Sequence, residues 1–240
     1  MKQLAICISG SLRSLEYCID NFINNVYEPN KENFNITLFY FLPDDINSKK
    51  IDLLNKLNPV IKIEKDIEHP NLNILWIGTV VVSRDNVSTG GIKGYIQQLY
   101  GIEQSFIMVE DYEIENNIEF NVILRCRSDV IFTEPVYINK YDLNNIIVPS
   151  FIGDRGHGIN DRFAFGNRNI MKVYMNMYSN IYKITKNKIK LNYKKVKKIN
   201  AEMFCEYNLD FHNIKYTSCN NIHFKRVRMG GTILNDLNII

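Results

Sequence analysis

The 240-residue sequence contains no C-x-x-C pair, no G-x-G-x-x-G after its first apolar run, and no apolar stretch near bilayer-spanning length. Each absence removes a class. Its five cysteines (Cys7, Cys18, Cys126, Cys205 and Cys219) are scattered; they read as reduced thiols of a cytosolic protein, not as a zinc site or a disulfide frame. Without the glycine fingerprint, a dehydrogenase or methyltransferase is disfavoured. Without a run of about 20 apolar residues, no transmembrane helix is expected. The opening MKQLAICISG is apolar only briefly before Ser-Gly-Ser, which fits a first strand and not a signal peptide. Six prolines and twelve glycines are too few for a disordered chain.

What remains is globular: 45% hydrophobic, 23% charged, and long enough for one domain with a substantial core. The net charge of +3 hides an asymmetry. The stretch from Lys183 to Lys198 holds eight lysines and no acid, so the rest of the chain is net acidic. That argues against a general nucleic-acid binder. Ile189, Tyr193 and Val196 are interleaved in the run at helical steps. It reads either as a solvated face or as a surface for peripheral contact with anionic lipid or an acidic acceptor.

The elements alternate along the chain. Leu4 to Ile8 is a β-type run, followed by Ser9-Gly10-Ser11 and apolar residues at Leu12, Leu15, Ile19, Phe22, Ile23 and Val26. That spacing predicts an amphipathic helix with Ser11 as its N-cap. A strand, a small-residue turn and a helix open many nucleotide-binding α/β units; a plain tight turn explains the residues equally well, and Arg13 tilts the balance towards an anion. Strands are expected at residues 35–42, 60–64 and 145–148. Between them, Tyr95, Leu99, Ile102, Phe106 and Val109 mark a long helix, with Gln97, Gln98 and Tyr100 off its apolar stripe. Residues 151–167, with four glycines and two Asp-Arg pairs, read as a mobile loop carrying chemistry. A short helix opened by Asn200 follows, with Glu202 and Glu206 on one face, and two late strands close the pattern.

The centre of the sequence is FNVILRCRSDVIF, from Phe120 to Phe132. A buried strand breaks into charges and then resumes. Arg125, Arg127 and Asp129 alternate, so an extended chain points them to one side. Charges at the end of a buried strand are expensive unless paired or bound. Two readings follow: an Arg–Asp pair closing the sheet, or a carboxylate holding a divalent cation with arginines meeting phosphate. The remaining motifs favour the second.

LAICISGSLRS, NVILRCRSDVIF, NDRFAFGN, an Ala-Glu helix and a His/Arg-rich last strand occur in that order. In this the chain resembles small glycosyltransferases of the GT-A type, including those similar to WavE-like lipopolysaccharide and large-virus glycan enzymes. The resemblance implies a single α/β, Rossmann-like domain across residues 1–240, with a mostly parallel mixed sheet flanked by helices. It implies a sugar moved from a UDP-, GDP- or dTDP-linked donor to a glycan or lipid-linked acceptor in the cytoplasm, bacterial or of an infected host. It implies Asp129 as a ligand of Mn²⁺ or Mg²⁺, although the family's Asp-x-Asp reads Arg127-Ser128-Asp129 here, and His223 as a second ligand suited to Mn²⁺. Ser9, Gly10 and Ser11 would line the nucleotide pocket, and Arg13, Arg125 and Arg127 would meet the diphosphate. Asp161, then Glu202, would serve as the base.

Two competing readings stay open. A metal-dependent phosphohydrolase or nuclease would gather Asp129, Asp161 and Glu202 around one or two cations, although the sequence lacks the His-acid clusters expected of it. A non-catalytic nucleotide-sugar-binding module would use Asp129 only as a partner for Arg125.

Overall fold

The computed structural model describes residues 1–44, 48–68, 82–83, 86–87, 90–150, 158–186 and 201–234. Four parallel strands form one half of its main sheet: β1 (Lys2–Ser9), β2 (Phe34–Pro43), β3 (Val60–Glu64) and β6 (Val122–Cys126). A small hairpin, β4 (Val82–Ser83) and β5 (Asn86–Val87), lies between β3 and β6 in the chain. The other half of the sheet holds β8 (Ile146–Pro149), β9 (Phe163–Asn167) and β10 (Tyr216–Cys219), in the spatial order β10-β8-β9-β6-β1-β2-β3. Only β9 runs against its neighbours. The expected class, an α/β fold on a mostly parallel mixed sheet, is what the chain adopts.

Strand alternation explains the two layers that cover this sheet. Leu4, Ile6 and Ile8 of β1 face one side, where Leu15, Ile19 and Phe22 of α1 (Leu15–Phe22) cover them. Ala5 and Cys7 face the other side, against Leu99, Ile102 and Phe106 of α3 (Gly90–Asn116). The five residues of the predicted stripe on α3 are all buried, none more than 4% exposed. Helices α4 (Arg168–Met175), α5 (Met177–Lys186) and α6 (Ala201–Phe211) complete that layer, and α2 (Ser48–Leu54) follows β2. Among the described residues no helix is long and apolar enough to cross a membrane.

Four local readings are corrected. The first helix begins at Leu15, with Ser14 at its N-cap in place of Ser11. It gives way after Phe22 to a π turn, Ile23–Tyr27, and a 3₁₀ turn, Glu28–Asn30. Met171, Tyr174, Met175 and Tyr178 are spaced as one helix in the sequence, but they belong to two helices, parted at Asn176. Phe163–Asn167, read as the end of a loop, is the antiparallel strand β9 in the middle of the sheet, with Phe163, Ala164 and Phe165 fully buried. Finally, the strand does not resume in the same sheet after Asp129. β7 (Val130–Phe132) joins a separate three-stranded sheet with β11 (Phe224–Val227) and β12 (Ile233–Leu234). Residues 151–157 of the glycine-rich segment and 187–200 of the lysine run lie outside the described residues.

The small sheet is fastened to the first helix. Asn21 donates through Nδ2 to the Phe132 carbonyl at 3.0 Å and accepts the Phe132 N–H at 2.7 Å. Buried Ser14 donates its hydroxyl to the Val227 carbonyl at 2.8 Å. Ser14→Ala leaves that carbonyl unpaired in a dry place and should cost about 1–3 kcal/mol. A urea melt checks this: the midpoint falls while the slope stays the same.

Candidate functional site

Successive strands β1, β2 and β3 stack outwards in one direction, and β6 then returns to the other side of β1. The two crossovers also use opposite faces, since α1 covers one and α3 the other. In such sheets the chain parts at the carboxyl ends of the two central strands and leaves a crevice, the usual ligand site. A cleft of about 840 Å³ opens there. Its edges are the ends of the four parallel strands: Ser9 and Gly10 after β1, Phe41 and Pro43 on β2, Glu64 at the tip of β3, and Arg125 at the end of β6. One wall is a single face of α3, where Gly94, Gln97, Gln98 and Gly101 recur at steps of three and four. Arg228 and Met229, beyond β11, close the opposite side.

The residue after β1 has to be glycine. Gly10 adopts φ +101°, and no atom lies within 4 Å of where its Cβ would stand. The turn therefore presents bare backbone to open space. Ser11 and Arg13 follow along the rim. The turn after β6 is pinned from three directions. Ser128 donates its hydroxyl to the Ser11 carbonyl at 3.1 Å, Arg127 N–H donates to the Arg162 carbonyl at 3.1 Å, and Val227 N–H donates to the Asp129 carbonyl at 2.8 Å.

Arg125 sits at the floor. On β6 it shares the α3 side with Ile123, and its register partners on either side are Cys7 of β1 and Ala164 of β9. Two small neighbours leave room for a guanidinium within the sheet. Arg125 is only 2% exposed, and its Nε and Nη1 have no hydrogen-bond partner. A buried cation in that condition is rare in a native structure.

Arg127 is the opposite case. Its Nε and Nη2 each donate to one Asp129 carboxylate oxygen at 2.7 Å, a bidentate pair. Its Nη1 donates to Gln98 Oε1 at 3.3 Å, and Gln98 Nε2 donates in turn to Asp161 Oδ2 at 3.1 Å. Behind Gln98, Arg162 bridges two acids: Nη1 stands 3.6 Å from Asp161 Oδ1, and Nη2 donates to Glu202 Oε1 at 3.1 Å.

A family model described as a domain of unknown function, DUF7796, matches residues 1–225. The chain belongs to the DUF7796 family. No curated protein matches it. Among solved structures, it resembles the glycosyltransferase GlyE of Streptococcus pneumoniae TIGR4, at 12% identity and a TM-score of 0.42. The match covers 91% of this chain and 46% of that one, so the DUF7796 chain spans less than half the length of that neighbour. So remote a likeness carries no chemistry across.

The site residues expected from the sequence fall into three groups in the DUF7796 chain. Ser9, Gly10, Ser11, Arg13, Arg125, Arg127 and Asp129 all line the cleft. Asp161 and Glu202 are brought together by Arg162, but they stand behind the floor and not on the lining. His223 is remote from Asp129. It lies opposite Thr133, whereas Val227 lies opposite Asp129, so four strand residues, about 13 Å, separate the two positions. Among the described residues no group of three His, Cys, Asp or Glu side chains is placed to hold a metal ion.

Sequence reasoning gave no role to Gln98, Arg162, Glu64 or Arg228. Only Gln98 carried a signal, as a polar residue off an apolar stripe, three and four positions from Gly101 and Gly94. Glu64 forms the acidic end of the cleft with Asp66; Tyr100 donates its hydroxyl to Glu64 Oε1 at 2.6 Å, and that bond holds the carboxyl below its usual pKa.

The buried acids titrate in opposite directions. Burial pushes Asp129 up, but the bond and charge of Arg127, helped by Arg125 and Arg226, bring it below the ordinary range. Burial likewise opposes ionisation of Asp161, and the charges of Arg162, Arg125 and Arg127 override it. Glu202 is raised, first by burial and then by the charge of Asp161, against the pull of Arg162. Folding stability from the two lowered acids is present above the ordinary carboxylate range and is lost as pH falls through their depressed values. For Glu202 the sign reverses: its contribution is greatest at low pH and is lost as pH rises through the raised value. Glu202→Gln should therefore melt higher than the wild type at pH 8, with the difference closing below about pH 4. Melting temperature against pH for both proteins reads this directly.

Proposed function

We propose that the DUF7796 chain is a glycosyltransferase that takes its sugar from a nucleoside-diphosphate donor. The observation that supports this most is the polarity of the cleft. Its β6 end presents Arg125, Arg127, Arg13 and Arg228, while its β3 end presents Glu64 and Asp66. A nucleoside diphosphate has matching ends. Hydroxyls of a ribose suit carboxylate acceptors, and phosphate oxygens suit guanidinium forks and exposed backbone N–H groups. The sequence motifs shared with GT-A-type enzymes favour the same ligand.

On this reading the acceptor oxygen bonds to the anomeric carbon as the bond to the β-phosphate oxygen breaks. The electron pair leaves on the phosphate, and the acceptor proton is lost to water. Charge grows on the departing diphosphate, and fixed cations aimed at that charge lower the barrier. The acceptor is a glycan or lipid-linked hydroxyl that enters from the open side. Asp161 and Glu202 serve this site through Arg162 and Gln98, as counter-charges that hold the floor in place. The hydrolase reading is weaker, because the three acids it needs are not gathered: Asp129 is paired with Arg127, and the other two with Arg162.

A thermal-shift panel of UDP-, GDP- and dTDP-sugars tests the proposal. A ligand that binds only the folded chain raises the midpoint by mass action. One base should give a clear rise, and a donor carrying it should release its nucleoside diphosphate when an acceptor glycan is added. Arg13→Ala, at the exposed rim of the cleft, should weaken donor binding about tenfold to a hundredfold, the usual worth of a charge-assisted hydrogen bond. If no nucleotide sugar moves the midpoint, the proposal fails.

A further inference from the structure

We infer that this cleft neutralises its ligand's diphosphate with guanidinium groups in place of a divalent cation, so that nucleotide binding is independent of Mn²⁺ and Mg²⁺. The inference rests on the nucleotide reading of the cleft and goes further, to the means by which phosphate charge is met.

The donor set argues against an ion. Mn²⁺ or Mg²⁺ bridging a diphosphate needs protein oxygen ligands with lone pairs to give. Asp129 is the acid expected to supply them, yet both of its oxygens accept from Arg127 at 2.7 Å. An ion arriving there would have to share that carboxylate with a guanidinium already bonded to both oxygens, against its positive charge. His223, the second expected ligand, lies about 13 Å along the strand pair. No other acid, cysteine or histidine among the described residues completes a three-ligand group.

The cationic groups fit the phosphate instead. Arg125 lines the cleft, is 98% buried by side-chain packing, and keeps Nε and Nη1 without partners. Asp129 and Asp161 are close enough to feel its charge, but neither bonds to it. A guanidinium left with unmet donors on two different edges is a group whose charge a phosphate can answer. Gly10 lines the same space with no side chain in the way, its own N–H being held by the Phe41 carbonyl at 3.1 Å, so the turn leaves room for an anion beside the guanidinium. The guanidinium on β6 supplies the charge, and the open turn after β1 supplies the space.

Calorimetric titration of the full chain tests this with inorganic pyrophosphate and with UDP, GDP and dTDP, each in EDTA and again in MnCl₂ or MgCl₂. The expected result is that pyrophosphate and one nucleoside diphosphate bind in EDTA with a Kd within about twofold of that in metal. Arg125→Met should lower affinity at least tenfold in both buffers, with Arg125→Lys in between, while both variants keep a cooperative melt. Should Arg125→Met fail to fold, the comparison of EDTA with metal on the wild-type chain decides alone. Binding that appears only with Mn²⁺ or Mg²⁺ overturns the inference and leaves the glycosyltransferase reading standing. Pyrophosphate binding in EDTA with no nucleoside diphosphate bound keeps the guanidinium site and removes the nucleotide. If neither binds in either buffer, both are overturned.

Discussion

A guanidinium buried inside a parallel sheet, with unmet donors, is the constraint around which the rest of this structure is arranged. Taking such a charge out of water costs several kcal/mol unless something answers it. Cys7 and Ala164 make the space, and Asp129 and Asp161 supply opposite charge nearby, but among the described residues no side chain accepts from Arg125 Nε or Nη1. A sequence selected only for stability would place an apolar residue at the end of β6, as it does at Ile123 and Leu124. On the proposed reading, Arg125 is a cost that the fold carries for a ligand, and the strand ends around it form the cleft that would hold it.

The neighbouring charges explain how the floor stays in place. Asp129 holds Arg127, Arg127 holds Gln98, Gln98 holds Asp161, and Arg162 ties Asp161 to Glu202 on α6. The chain of bonds runs from the turn after β6, across α3, to the layer of helices behind. Each carboxylate is shared among arginines, which keeps Asp129 and Asp161 ionised and leaves Glu202 as the acid burdened by its neighbour's charge. The fixed orientation of Arg127 leaves Arg125 as the cation with donors to give.

Much of this was legible in the residues, and the rest was hidden for identifiable reasons. The alternation of Arg125, Arg127 and Asp129 marked three residues that line the cleft, although the chain leaves the strand after Cys126 and turns at Ser128 and Asp129 instead of staying extended. The stripe on α3 was legible because helical spacing is local. β9 was not. Its sequence, FAFGN, alternates aromatics next to glycine-rich and charged residues, and only pairing with β6 and β8, distant in the chain, makes it a central strand. Likewise, the resumption at Val130 looked like one strand because local pattern says nothing about which sheet a strand joins; the backbone of Val227 decided that. Asp161 and Glu202 carried the right chemistry for a base, but which side of the floor they occupy depends on how α6 packs, and no spacing encodes it.

The most direct test of the central claim is a crystal structure of the chain grown with the nucleoside diphosphate that binds it. The account predicts phosphate oxygens within hydrogen-bonding distance of the Arg125 guanidinium, near the Gly10 turn, with the Arg127–Asp129 pair intact. A diphosphate bound elsewhere, or held through a cation on Asp129 while Arg125 remains without a partner, would contradict it.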